Sequence, residues 1–231
     1  MAKSHIFPRA FAHDMRAGAA KLYIASKNAD RYEFSQSGPS DGNFLCISCE
    51  AKLSDCDDYA VRWIRAFDSK ATDCFKGLAK AVPNPKPDLL VKFASAVLWR
   101  AATAPKTASP DIDLGPWDFQ LRQYLFGNSD YRPSVCILQL RWTVGGNYVG
   151  DITVQPYRAL LRGRRTYLFD LAGFRFLIRL NNRGNAPEFS HQFRANGQNP
   201  LLVLDLGFRE ISEDSGFMSI FTEIETALRD T

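Results

Sequence analysis

Long apolar runs are missing from these 231 residues, and no apolar core follows Met1-Ala2-Lys3-Ser4-His5. Neither a membrane-spanning helix nor a secretory signal is therefore expected, which makes the cytoplasm the expected compartment. Cysteine is scarce and unevenly placed: Cys46, Cys49, Cys56 and Cys74 crowd together and Cys136 stands alone. An odd, clustered set argues against a disulfide framework and for reduced thiols or metal ligands. Histidine occurs only as His5, His13 and His191, too few for a histidine-rich metal centre. Gly-x-Ser-x-Gly, P-loop and Gly-x-Gly-x-x-Gly sequences are absent, which leaves serine hydrolysis, nucleotide triphosphate hydrolysis and dinucleotide binding without local support. No internal repeat or low-complexity stretch is present.

What is there suffices for an ordinary folded protein, since 45% of residues are hydrophobic and 13% aromatic. The net charge of +4 is mild, but it is unevenly spread. All ten lysines lie at or before Lys106. A second basic stretch, residues 150–183, sets seven arginines (Arg158, Arg162, Arg164, Arg165, Arg175, Arg179 and Arg183) against Asp151 and Asp170. Arginine without lysine suits bidentate phosphate or carboxylate binding, so Arg158, Arg162, Arg164, Arg165, Arg175 and Arg179 are the candidate nucleic-acid contacts. The competing reading is a solvated strand face and hairpin tip.

The pattern along the chain predicts an α+β fold: an N-terminal knuckle with helices, then a mainly antiparallel sheet and a C-terminal helix. Short strands are expected at Ser4 to Phe7, Lys21 to Ser26 and Tyr32 to Phe34, with Ser37-Gly38-Pro39-Ser40-Asp41-Gly42-Asn43 as a loop. From Leu53, apolar residues recur at helical spacing through Cys56, Tyr59, Ala60, Trp63, Ile64 and Phe67. Ser54, Asp55, Asp57 and Asp58 favour the positive end of that helix, so it should begin just after the Cys46–Cys49 turn. A shorter helix is expected over Cys74 to Val82. Pro83-Asn84-Pro85-Lys86-Pro87 reads as a stiff linker, dividing 1–82 from 88–231 unless the two form one continuous domain.

Asp88 is the expected N-cap of a central buried helix through Ala102, with Trp99 and Arg100 at its edge. Trp117 to Leu125 should form another helix, stopped by Gly127. Strands are then expected at Val135 to Trp142, Ile152 to Leu161, Tyr167 to Leu171, Phe174 to Leu180 and Leu201 to Leu206, before a helix at Phe217 to Leu228. Arg162-Gly163-Arg164-Arg165 fits a hairpin tip, Ala172-Gly173 a second bend, and Pro156 an edge strand or a bulge. Phe174, Phe176, Ile178 and Leu180 alternate with Arg175 and Arg179, which predicts a sheet packed on one face and wet on the other.

Two groups carry chemistry. Cys46-Ile47-Ser48-Cys49 can hold two corners of a zinc tetrahedron, but no second Cys-x-x-Cys or His-x-x-x-His supplies the others. The pair then reads as zinc ligands, as reduced core cysteines, or as a redox dithiol; Cys56, on its helix's apolar stripe, reads as a small buried hydrophobe. His5 lies on a short strand that Pro8 ends.

Ser4-His5-Ile6-Phe7-Pro8 resembles the His-Ile-x-Pro strand of the HNH, or ββα-metal, nuclease superfamily. Leu45-Cys46-Ile47-Ser48-Cys49-Glu50, Asp58-Tyr59 and Val97-Leu98-Trp99-Arg100 extend the resemblance to a bacterial and phage family over roughly the first hundred residues. The resemblance implies that His5 is the general base for phosphodiester hydrolysis and that Asn43 orients it. It also implies structural zinc at Cys46 and Cys49, and Mg or Mn near Glu50 with Asp57 or Asp58. Ser4 stands where the family usually has an acidic metal ligand, and Glu50 where it has His or Asn; a carboxylate is itself a Mg²⁺ ligand type.

The expected function is an HNH-like protein acting on or binding nucleic acid, a metal-dependent nuclease if an enzyme. The alternative is a non-catalytic binding, immunity or accessory protein that recognises nucleic acid or a protein partner. A cysteine nucleophile paired with His5 or His191 is the weaker third reading.

Overall fold

The computed structural model describes residues 2–15, 22–25, 33–35, 38–104, 112–144, 147–148, 152–161, 163–181, 195 and 199–210. The expected C-terminal helix, Arg162, Arg183 and His191 lie outside these residues, as does the side chain of Asn43.

The fold is α+β. The chain opens with β1 (Ala2–His5), α1 (Arg9–Met15), β2 (Leu22–Ala25), β3 (Glu33–Ser35) and β4 (Ser40–Leu45). It continues through α2 (Ile47–Lys70), β5 (Thr72–Cys74), a 3₁₀ turn at Phe75–Gly77, β6 (Ala79–Val82), α3 (Pro87–Thr103) and α4 (Trp117–Phe126). The later strands are β7 (Ser134–Val144), β8 (Asn147–Tyr148), β9 (Ile152–Leu161), β10 (Arg164–Leu171), β11 (Phe174–Arg179) and β12 (Leu201–Glu210).

β1 and β4 form a separate two-stranded sheet. The other described strands form one sheet in the order β3-β2-β9-β10-β11-β7-β12-β6-β5, with β8 paired to β7. Its pairings are antiparallel except β2 with β9 and β12 with β7. The five long strands fall where the sequence predicts them. Ala172 and Gly173 make the β10–β11 turn with φ of 50° and 81°, the left-handed region that such a two-residue turn requires and glycine adopts without strain. Pro156 sits where the β9–β10 register shifts, inside a strand paired on both sides, so it marks a bulge and not an edge.

Helices α2, α3 and α4 share the main core with the sheet. Phe93 of α3, fully buried, lies 5.6 Å from Phe176 and 6.3 Å from Phe169, and the latter two rings stack at 4.7 Å. Trp63 and Phe67 of α2 pack in the same way on Phe174. This core runs from Ile6 to Val203 and draws on residues from both sides of the Pro83–Pro87 stretch. No helix among the described residues is long and apolar enough to cross a membrane.

Several expectations need correction. The second face of the sheet is not wet: Cys136, Leu138, Leu140, Trp142, Leu168, Leu177 and Leu204 form a second buried apolar cluster there. Ser40 to Asn43 is strand, not loop, because β1 supplies a ladder that local turn chemistry does not reveal. Cys74 to Val82 is the end of β5 and all of β6 around the 3₁₀ turn, the two strands paired to each other and β6 also to β12. Helix α3 starts at Pro87 with Lys86 as N-cap, which puts Asp88 in the first turn, 2.8 Å from Arg132. Trp99 and Arg100 are not at an edge but buried.

Candidate functional site

Two strands and a helix build the N-terminal site. His5 pairs with Ser40 and Ser4 with Asp41 across the β1–β4 ladder, and the Ile6 N–H donates to the Pro39 carbonyl at 3.0 Å. Beyond His5, Ile6, Phe7 and Phe11 turn into the core and anchor β1 there. At the far end of β4, Leu45 is buried and Cys46 follows as the N-cap of α2. His5, the β4 backbone of Asn43, and the cysteine pair thus belong to one strand–strand–helix unit. His5 is half-buried with Nε2 inaccessible to solvent. Ser4 is fully buried, and no hydrogen-bond partner of its Oγ is found among the described residues.

The Cys46–Cys49 turn is the first turn of α2 and does not precede it. The Cys46 Sγ accepts from the Cys49 N–H at 3.3 Å and lies 3.0 Å from the Ser48 hydroxyl oxygen. A sulfur therefore does what a serine or aspartate oxygen usually does at a helix N-cap. The Ser48 hydroxyl, then Cys49, stabilise the thiolate and bring the exposed Cys46 thiol down to about 7. Cys49, half-buried against the main core, is pushed up by its hydrogen bond with Cys46 and by burial. Cys56 is fully buried, its Sγ donating to the Leu53 carbonyl at 3.0 Å, and burial pushes its thiol up to about 12.

One turn further along α2, the carboxylates meet a cation from α3. Arg100, with 1% of its side chain exposed, donates to Asp57 through both Nη atoms at 3.2 and 2.6 Å. Its Nη2 also lies 3.6 Å from a Glu50 oxygen. Burial raises the Asp57 carboxyl, against the pull of Arg100. Glu50 and Asp57 thus face a guanidinium, and the resulting ion network ties α2 to α3. Asp58 is exposed and outside it, while the neighbouring Tyr59 hydroxyl accepts from the Lys86 N–H at 2.8 Å.

This geometry bears on the metals the resemblance implies. Cys46 and Cys49 supply two sulfurs, half of a structural zinc set. Among the described residues no group of three or more His, Cys, Asp or Glu is arranged to hold a metal ion. A divalent ion on Glu50 would share its carboxylate with Arg100, which lies 3.6 Å from one oxygen, while the other oxygen is buried with no hydrogen-bond partner among the described residues.

The arginines of the sheet separate into two groups. Arg158 faces Tyr167 across the β9–β10 ladder, and Arg165 lies two residues before Tyr167. Both arginines are exposed and offset the burial that raises the Tyr167 hydroxyl. Leu160, exposed between them, completes a basic and apolar ledge near the hairpin tip. Arg164 is half-buried.

Arg175 and Arg179, expected as surface contacts, are buried and must be corrected. Arg175 donates to both oxygens of Asp170 at 2.7 and 2.9 Å and lies over the Trp142 ring. Arg179 donates to Thr166 Oγ1 and to the Leu161 carbonyl. Asp170 compensates the charge of Arg175, and burial keeps both guanidinium groups away from a phosphate at the surface.

The Arg100 network escapes sequence reasoning because its members are 43 and 50 residues apart. The signal that was present is an arginine in the apolar second half of a largely apolar helix. Comparison with protein-family models, with curated proteins and with solved structures gives no match.

Proposed function

We propose that this chain is an HNH-like protein that binds nucleic acid without metal-dependent turnover at Glu50. The observation carrying this reading is the unit formed by β1, β4 and α2, in which His5, Asn43 and the cysteine pair follow in the order the resemblance requires. The exposed Arg158–Arg165 ledge supplies phosphate-binding chemistry, and the ion network of Arg100 with Asp57 and Glu50 favours recognition over hydrolysis. A protein of this kind would work in the cytoplasm, where its thiols stay reduced.

Binding of fluorescent DNA and RNA oligonucleotides, measured against salt, tests the reading. Each phosphate neutralised on duplex DNA contributes about 0.9 to the slope of log K against log salt. Arg158→Glu/Arg165→Glu should weaken binding at every sequence tried and flatten that slope by about 2. Binding left intact by the double reversal would remove the ledge from the proposal, and no binding by the wild type would remove nucleic acid.

A second reading, phosphodiester hydrolysis, is favoured by the position of His5 on β1. It requires cleavage of plasmid DNA or RNA in Mg²⁺ or Mn²⁺ that disappears in His5→Ala. Cleavage of that kind would displace the binding-only reading.

A further inference from the structure

We infer that Cys46 and Cys49 form a reversible dithiol–disulfide pair, with Cys46 as the attacking sulfur and Cys49 as the resolving one. The inference stands on placement. Cys46 is exposed and Cys49 is half-buried one helical turn away. The Cys46 Sγ already accepts from the Cys49 backbone N–H at 3.3 Å, which places the second cysteine next to the first sulfur. The Ser48 hydroxyl oxygen lies 3.0 Å from the same sulfur, where it can donate to the thiolate. Cysteines with two residues between them at a helix N-terminus have the spacing of thiol–disulfide exchange motifs, in which an accessible sulfur attacks and its neighbour resolves. Ile47, between them, is 72% exposed, which leaves the approach to Cys46 open and apolar. Cys56 and Cys136 are fully buried and unsuited to either role.

The co-reactant is a low-molecular-weight disulfide such as glutathione disulfide. The Cys46 sulfur attacks one of its sulfurs, forming a mixed disulfide and releasing one thiol, which carries the proton that Cys46 gives up. Cys49 then attacks the Cys46 sulfur, closing the intrachain disulfide and releasing the second thiol with the proton from Cys49. Two protein thiols are oxidised by two electrons, and the external disulfide is reduced to two thiols. Excess thiol reverses both steps. The disulfide would staple the first turn of α2, which begins where β4 ends and carries Glu50 toward Arg100.

Intact-mass analysis of the full chain, incubated in glutathione redox buffers with and without a zinc chelator and followed by peptide mapping, tests this. The wild type should lose two hydrogens, map the new bond to Cys46–Cys49, carry no glutathione and recover its mass in excess thiol. Cys49→Ser should trap one glutathionyl group on Cys46, and Cys46→Ser should remain unmodified over the same time. Three results would overturn the inference: a wild type that stays reduced, a wild type that accumulates a stable glutathione adduct, or oxidation seen only after a stoichiometric zinc ion is removed. If either variant fails to fold, the mapped bond in the wild type still decides the question.

Discussion

Removing Arg100 should be among the most damaging single changes in this molecule, and the damage should depend on what remains opposite it. Arg100→Met keeps much of the aliphatic stem and deletes the guanidinium. Asp57, with 14% of its side chain exposed, then loses both short hydrogen bonds and its compensating charge. Breaking a buried pair from one side costs about 3–5 kcal/mol, because an uncompensated charge stays behind. Arg100→Met/Asp57→Leu removes both charges and should recover most of that loss, since replacing a buried pair with apolar groups is often close to neutral.

Urea unfolding reads the difference. With a slope of about 3 kcal/mol per molar urea, the single variant should lower the midpoint by about 1–1.7 M, and the double variant by well under half of that. The pH dependence has a defined sign. Burial raises the Asp57 carboxyl in the folded chain, so the native state binds that proton more tightly than the unfolded state does. Stability tied to such a group is present at low pH and is lost as pH rises through the folded value. With Arg100 gone the rise is larger, so the defect of Arg100→Met should shrink on acidification from neutral pH. A midpoint shift below about 0.3 M, or a double variant as unstable as the single, would refute the reasoning.

Two further outcomes are expected. Phe93→Ala, at the junction of α3 with the β10–β11 face, should cost about 3–5 kcal/mol in the same urea experiment, because Phe169 and Phe176 stack on each other and cannot both close over the vacancy. Alkylation of Cys46 by iodoacetamide in chelator-treated protein should rise with pH through a midpoint of about 7 and then level off, as expected for a thiolate favoured above that value. A midpoint close to that of a free thiol would show that the Ser48 and Cys49 hydrogen bonds do not persist in solution.

Strands β7, β9, β10, β11 and β12 were legible because each is a run of apolar, β-branched and aromatic residues, and several are bounded by turn residues. Cys74 to Val82 was not, since nine residues of mixed polarity fit one short helix as well as two strands joined by a 3₁₀ turn. Position in the sheet was invisible too: β6 is a strand because β12 offers it a ladder across more than a hundred residues, and β5 adds to the outer side of β6. At the site, the order of His5, Asn43, Cys46 and Cys49 was readable, and so was a helix after them. The start of that helix was misplaced because cysteine is not among the usual N-cap residues, whereas here Cys46 accepts the capping hydrogen bond.

The arginines show why local composition misleads where pairing decides. Arg158, Arg165, Arg175 and Arg179 lie within 22 residues and look equivalent in sequence. What separates them is the partner across each strand. Asp170 is directly opposite Arg175 on β10, and Thr166 lies within reach of Arg179, so both guanidinium groups are turned into the fold and donate there. Arg158 is opposite Tyr167 and Arg165 opposite Leu160, and both remain exposed with no carboxylate across the ladder. A buried arginine on a strand therefore has to be read with its cross-strand acceptor, and the charge free to meet a phosphate is the part that finds no such acceptor.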